Sequence, residues 1–347
     1  MSKLGELITA EMTAKDWNQS DLAAVAGKSK QYISDILNGK RALDAEGAVL
    51  IGAALEVSAE ELLLIGIREA IARETERLDV GAIERRSAIE SRFNLRLLQE
   101  DGFFEGNLDF EQMEKALAPA RKIVEATRRR GSGEVVTPKQ ASWLAAVQLQ
   151  VQSCAPKFPA FQKDGLRELA LSIPRQSKDI KWLRKLPQLA AKVGLILVSK
   201  KVFPGAALHG ASFRIPVGDR MVPVIVLTAK GGRADSVIFT LLHEIGHHLL
   251  GHIEGSLCLN YTNPEDDCEA KANDFAADII GANQILDYPS RPSRELIADT
   301  AYSLNIPEWF VIGHLQKLGV VPWASPLSRV IPNIQEEVLS WQPAYAC

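Results

Sequence analysis

Four of the six histidines in this 347-residue chain, His243, His247, His248 and His252, fall within ten residues. The stretch Phe239-Thr-Leu-Leu-His243-Glu244-Ile-Gly-His247 contains H-E-x-x-H. Thr240 is the expected helix cap, and Leu241, Leu242, Ile245, Leu249 and Leu250 supply core residues, so the stretch predicts a helix. At 3.6 residues per turn His243 and His247 share a face, where two imidazoles can bind one Zn²⁺. Glu244 stands beside them as a base for a water activated by that ion. His248 is turned about 100° from His247 and is expected to miss the metal, with His252 at the surface or behind a ligand. Gly246 and Gly251 cost helix stability, which close approach of another backbone would explain.

Two histidines leave a zinc site short of a third protein ligand. Downstream, Cys268-Glu269-Ala-Lys-Ala-Asn273-Asp-Phe275 opens an alanine-rich helix able to pack on the first through small residues. Glu269 in its first turn can complete His₂Glu with one position open, and Asn273, a turn later, is placed to hydrogen-bond a ligating histidine. Glu254, Asp266, Asp267, His248 and His252 compete for the third place. Cys258, eleven residues past His247, is a candidate fourth zinc ligand that would close the open position, set against the reading of an inert buried thiol. His209, His252 and Tyr261 are candidates to stabilise an oxyanion.

The two blocks, Phe-Thr-Leu-Leu-His-Glu-Ile-Gly-His and Glu269-x-x-Ala272-Asn273-x-Phe275-Ala-Ala, resemble the ImmA/IrrE family of zinc metallopeptidases from about residue 180 to 285. The resemblance implies one Zn²⁺ per chain held by His243, His247 and Glu269, with Glu244 as catalytic base. It also implies a helix-turn-helix repressor as protein substrate, inactivated by one site-specific cut in a stress, phage-defence or mobile-element response. The family usually has an acidic residue two before the Asn; Lys271 stands there in this chain, beside the ligands rather than among them. Residues 293–319 read as helix, tight turn, helix, and look like the C-terminal part of members fused to a helix-turn-helix.

At the other end, Leu4, Leu7, Ile8 and Met12 line one helical face. A short helix ending at Gly27, a turn, and a second helix capped by Ser29 and stopped by Asn38-Gly39 follow. Leu22, Val25, Ile33, Ile36 and Leu37 are the expected seam between them. Another helix starts at the capping box Ser58–Glu61. Residues 3–66 thus resemble the Cro/C1 (XRE-type) helix-turn-helix family. The resemblance implies DNA contacts from Lys28, Ser29, Lys30, Gln31, Tyr32, Ser34, Lys40 and Arg41. Residues 1–66 hold six Lys/Arg against ten Asp/Glu, whereas 28–41 hold four basic residues against Asp35, so positive charge gathers at the groove-facing helix alone. A dimerisation or protein-docking module is the competing reading.

A hydrophobic fraction of 46% and a charged fraction of 24% are those of folded domains, and a net charge of −3 argues against binding nucleic acid by bulk charge. No apolar run is long enough for a membrane span, the N-terminus lacks a signal-peptide pattern, and the four cysteines form no C-x-x-C pair, so a cytoplasmic location is expected. Residues 136–290 add short apolar β-runs, with Pro223 placing the run 222–228 at a sheet edge or strand start. The expected fold is multidomain and mainly α. An all-α helix-turn-helix domain (1–66), a charged helical linker (67–135) ending at Gly131-Ser132-Gly133, an α+β zincin-like metallopeptidase domain with a small sheet (136–290) and a C-terminal helical extension (291–347) make it up. Partners are a protein substrate, DNA through residues 28–41 and, as one arrangement, a second copy of the chain. The competing functional reading is an XRE-type transcription regulator or antitoxin whose zinc domain is a sensor or scaffold.

Overall fold

The computed structural model describes residues 2–104, 110–128, 136–253, 258–260, 267–285, 288–289 and 292–345, with the backbone alone at 110, 122–128 and 258–260. It divides into two compact units, Met1–Arg86 and Ser87–Cys347. The first is built from α1 (Lys3–Ala14), α2 (Gln19–Val25), α3 (Lys30–Leu37), α4 (Ala45–Leu55) and α5 (Ala59–Arg77). Each start is capped by a side chain, from Ser2, Asn18, Ser29, Asp44 and Ser58, which satisfies amides that the helix itself cannot. Leu4, Ile8, Leu22, Ile33, Ile36, Ile51, Leu55 and Leu62 form the core. Val25 is not in the seam: it is 57% exposed, and the small Ala23 and Ala26 are buried beside Leu22 instead. The division expected at residue 66 falls inside α5, which runs unbroken to Arg77; the units part within α6 (Val80–Glu90).

The second unit opens with α7 (Leu95–Glu100), α8 (Phe110–Arg128), α9 (Pro138–Gln152), α10 (Lys163–Gln176) and α11 (Leu186–Lys192). Leu117 and Ala120 of α8 share one core with Val136, Trp143 and Val147, so the expected boundary at 131–133, itself outside the described residues, joins two parts of a single unit. α9 is buried nearly all round, and its start is fixed by a capping box between Thr137 and Gln140.

A four-stranded sheet in the order β1-β3-β2-β4 follows, from β1 (Ile196–Ser199), β2 (Gly210–Val217), β3 (Arg220–Leu227) and β4 (Cys258–Asn260). β1 runs parallel to β3, and β2 is antiparallel to both β3 and β4. Alternate residues go to opposite layers: Leu197, Ile225 and Leu227 to one core, Ile196, Val198, Val224 and Val226 to the other. Burial on both faces is why these strands read as continuous apolar runs. β3 is an interior strand, not an edge. Pro223 is accommodated because Thr228 N donates to His209 O, which in the β2–β3 register turns the nitrogen of residue 223 away from β2. On its other side β1 begins pairing only at Val224.

α12 (Ala234–Leu249) lies against β2 and β3, and α13 (Asp267–Ile280) packs on α12. α14 (Arg294–Leu304), α15 (Glu308–Lys317) and α16 (Gln335–Leu339) complete the unit. Ile297, Phe310, Leu315, Val338 and Trp341 share the core of Ile238, Leu241 and Leu242, so residues after 291 belong to the same body as the H-E-x-x-H helix rather than extending from it. Among the described residues no helix is long and apolar enough to cross a membrane.

Candidate metal centre and nucleic-acid interface

The helix that carries His243 and His247 begins at Ala234, a full turn and more before Thr240. Its N-cap residue, Arg233, makes no side-chain cap bond, and Thr240 is an interior residue whose Oγ1 donates to Ser236 O at 3.0 Å. Ile238, Leu241, Leu242, Ile245 and Leu249 bury the apolar face, which turns His243 and His247 toward α13. A Cβ on Gly246 would stand 3.0 Å from the Phe275 ring and 3.4 Å from Ala272 O, so the glycine permits the close approach of α13. Gly251, at φ +79°, ends the helix in the left-handed conformation.

That approach brings three donor groups together. His243 Nε2 and His247 Nε2 are 2.9 Å apart, and Glu269 places Oε2 3.0 Å from the first and Oε1 3.2 Å from the second. Both histidines are buried and Glu269 is largely so. Asn273 Oδ1 accepts from His243 Nδ1 at 3.0 Å, which leaves a lone pair on Nε2. His247 Nδ1 lies 3.1 Å from His252 Nδ1, and donation to that partner frees its Nε2 in the same way. Two imidazole lone pairs and a carboxylate repel one another unless a cation or a shared proton sits among them. Tetrahedral bonds of ~2.0–2.1 Å put neighbouring donors ~3.3 Å apart, so three donors at this spacing suit a metal ion better than one proton. Among the described residues His243, His247 and Glu269 form the group able to hold one.

The electrostatics follow from burial and from these contacts. Without an ion the Nε2 atoms instead act as donors to Glu269: burial alone would raise its carboxyl, but hydrogen bonds from His243 and His247 outweigh it and hold the group at about 2. Burial pulls His243 down, and the Glu269 hydrogen bond with the charges of Glu244 and Glu269 turns the net shift upward. Glu244 is wholly buried, and that burial raises its carboxyl above the ordinary value against the pull of His243 and His247.

Glu244 is gripped on one side only. Ser212 Oγ donates to its Oε2 at 2.5 Å, whereas Oε1 has no hydrogen-bond partner. β2 alternates Ala211, Phe213 and Ile215 into the far core, which leaves Gly210 and Ser212 for the α12 side. A Cβ on Gly210 would lie 3.2 Å from Glu244 Oε1. Sequence reading missed Ser212; a contact 32 residues away is set by strand placement and has no local pattern to betray it.

The remaining candidates separate. His248 is buried on the sheet side with Nε2 3.3 Å from Val224 O, away from the donor cluster, and burial lowers it to about 3. His252 backs His247 rather than joining the three donors. Asp267 pairs with Lys271 at 2.5 Å. His209 is half-buried, lining a small recess with Lys230, Ser236 and Thr240. Glu254, Tyr261 and Asp266 lie outside the described residues, as does the side chain of Cys258, whose backbone pairs with Ser212.

In the first unit Gly27, at φ +64°, makes the turn between α2 and α3, and Ser29 Oγ accepts from Tyr32 N at 3.1 Å. Ser29, Lys30, Gln31, Lys40 and Arg41 are exposed, and Lys28 and Ser34 partly so. Lys28 is engaged with Glu46 at 2.7 Å, which raises its ammonium above the usual value. Tyr32 departs from expectation: it is buried, its hydroxyl donates to Asp44 Oδ1 at 3.3 Å, and Arg41 and Lys28 stack on its ring. Its hydroxyl and ring link α3 to the start of α4.

Neither a curated protein nor a solved structure matches the chain. Residues 8–62 match the helix-turn-helix family, and the first unit therefore carries a helix-turn-helix domain.

Proposed function

We propose that the chain is a zinc-dependent, site-specific endopeptidase joined to a DNA-binding domain, with a helix-turn-helix repressor as its protein substrate. The observation that carries this reading is the convergence of His243, His247 and Glu269 donors beside a carboxylate with one oxygen held and one unpaired. A bound ion would supply Lewis acidity, making water a nucleophile near neutral pH and polarising the scissile carbonyl. Glu244 receives the proton from that water at Oε1 while Ser212 fixes Oε2, and then delivers it to the leaving amine. Asn273 and His252 orient the two imidazoles from behind. Ser29, Lys30 and Gln31 at the start of α3, with Lys40 and Arg41, form the DNA-facing surface, bringing the enzyme to a DNA-bound substrate.

One observation favours the second reading, a regulator or antitoxin whose metal domain is a sensor or scaffold: Glu244 is 0% exposed. The test is incubation of the zinc-loaded chain with the repressor encoded beside its gene, on operator DNA. Cleavage that disappears in Glu244→Gln while zinc stays bound supports the peptidase. Intact repressor under every inducing condition, with zinc still regulating DNA binding, supports the sensor.

A further inference from the structure

Between α12, α13 and α15 the second unit forms a pocket of about 220 Å³, open on one side, that the metal site does not use. Its walls are Phe239 and Ser236 of α12, Ile280 of α13, and Phe310 and His314 of α15, with Trp323 at the mouth, where it is 64% exposed. The floor exists because Gly313 lets α15 approach α12: a Cβ there would meet the Asp235 carboxylate at 2.1 Å. Phe239, Phe310 and Trp323 supply aromatic faces and Ile280 an aliphatic one, and the polar groups differ in how far they are satisfied. Arg233 spends its charge on Asp235 at 2.6 Å and donates from Nη2 to Gln316 at 2.7 Å, and its Cζ lies over the Trp323 ring. Lys317 makes no ion pair among the described residues; its ammonium sits over the Phe239 ring, 4.6 Å from the centroid. His314 Nε2 is shielded from solvent without a hydrogen-bond partner, and burial with the Lys317 charge lowers the proton affinity of the ring.

We infer that this cavity binds a small aromatic carboxylate. Flat apolar walls select a ring, and the volume admits one ring with a short substituent. The single uncompensated cation among the lining residues, Lys317, calls for one negative charge. A nucleotide is excluded on the same grounds: the space is too small, and no glycine-rich amide cradle is among the lining residues. This inference is independent of the peptidase reading, since none of the lining residues is a metal donor.

The test titrates the full chain with benzoate and with benzyl alcohol, the same ring without the charge, by calorimetry and tryptophan fluorescence. Benzoate is expected to bind saturably and about tenfold more tightly than benzyl alcohol at low salt, the preference shrinking as salt rises. Lys317 is exposed, so Lys317→Met tests charge without threatening the fold; it should retain benzyl alcohol and lose the preference for benzoate. Trp323→Ala should weaken both ligands. Equal affinity for the two ligands, unchanged benzoate binding in Lys317→Met, or no saturation by millimolar benzoate would overturn the inference.

Discussion

His243, His247 and Glu244 were legible from spacing because their relation is local: four residues on a helix is one turn in any fold. Glu269 and Asn273 needed a second helix, but their own spacing is again one turn, and the small residues Gly246 and Ala272 allow the contact that joins the pair of turns. These roles predict separable outcomes. Glu269→Gln removes the anionic donor and should cost most of the zinc, measured as metal per chain after dialysis; Glu244→Gln should keep the metal. In the metal-free protein Glu244→Gln should also raise the melting temperature at pH 7, because it replaces a buried carboxylate by a neutral group that Ser212 can still meet. His248 gives the pH dependence. Its folded value near 3 lies below the unfolded value, so the unfolded chain takes up the proton first as pH falls. The stability it contributes is present above about pH 6.5 and is lost toward pH 3 at up to ~1.4 kcal/mol per pH unit. His248→Phe should flatten that slope in denaturant titrations of the second unit; an unchanged slope would assign it to other groups.

At the scale of elements, helix ends and turns were readable wherever a side chain or a glycine marks them, as at Ser29, Ser58 and Gly27. The start of α12 was not, since Arg233 offers no cap bond and the apolar pattern alone sets its beginning. Strand neighbours were not legible either, because pairing order is a long-range property: Pro223 correctly marked a nitrogen without a ladder partner, yet β3 is flanked on both sides. Helical position on α3 does not reveal that Asp44 captures the Tyr32 hydroxyl. Two consequences can be measured. Gly5 lies where α1 crosses the end of α3, and an added Cβ would come within 2.1 Å of Leu37 O, a backbone atom that cannot turn aside. Gly5→Ala should therefore destabilise the first unit by ~2 kcal/mol despite the better helix propensity, read from chemical denaturation. On the DNA side, Lys30→Ala should weaken binding to every sequence and reduce the salt slope by ~0.9, while Tyr32→Phe should leave affinity nearly unchanged.

As a whole molecule the chain has two bodies, each with its own core; the helix-turn-helix match at 8–62 lies inside the first, whose compact body reaches Arg86. The helix-turn-helix resemblance ends at 66 and a Gly-Ser-Gly run marks 131–133, but burial decides cohesion: α5 continues past the first, and one core spans the second. A fragment of residues 1–86 should fold alone, and zinc should raise only the melting transition of the second body, which calorimetry of the full chain can resolve. The donors themselves carry a consequence for that transition. Two come from one rigid helix, and the third returns 22 residues after His247. An ion shared among them acts as a removable crosslink, closing a loop that the unfolded chain would otherwise leave open. By the chain-entropy relation for a closed loop of that length the stabilisation is ~3 kcal/mol. Chelation would then release a staple between α12 and α13, so metal supply would set how long this body survives as well as whether it reacts.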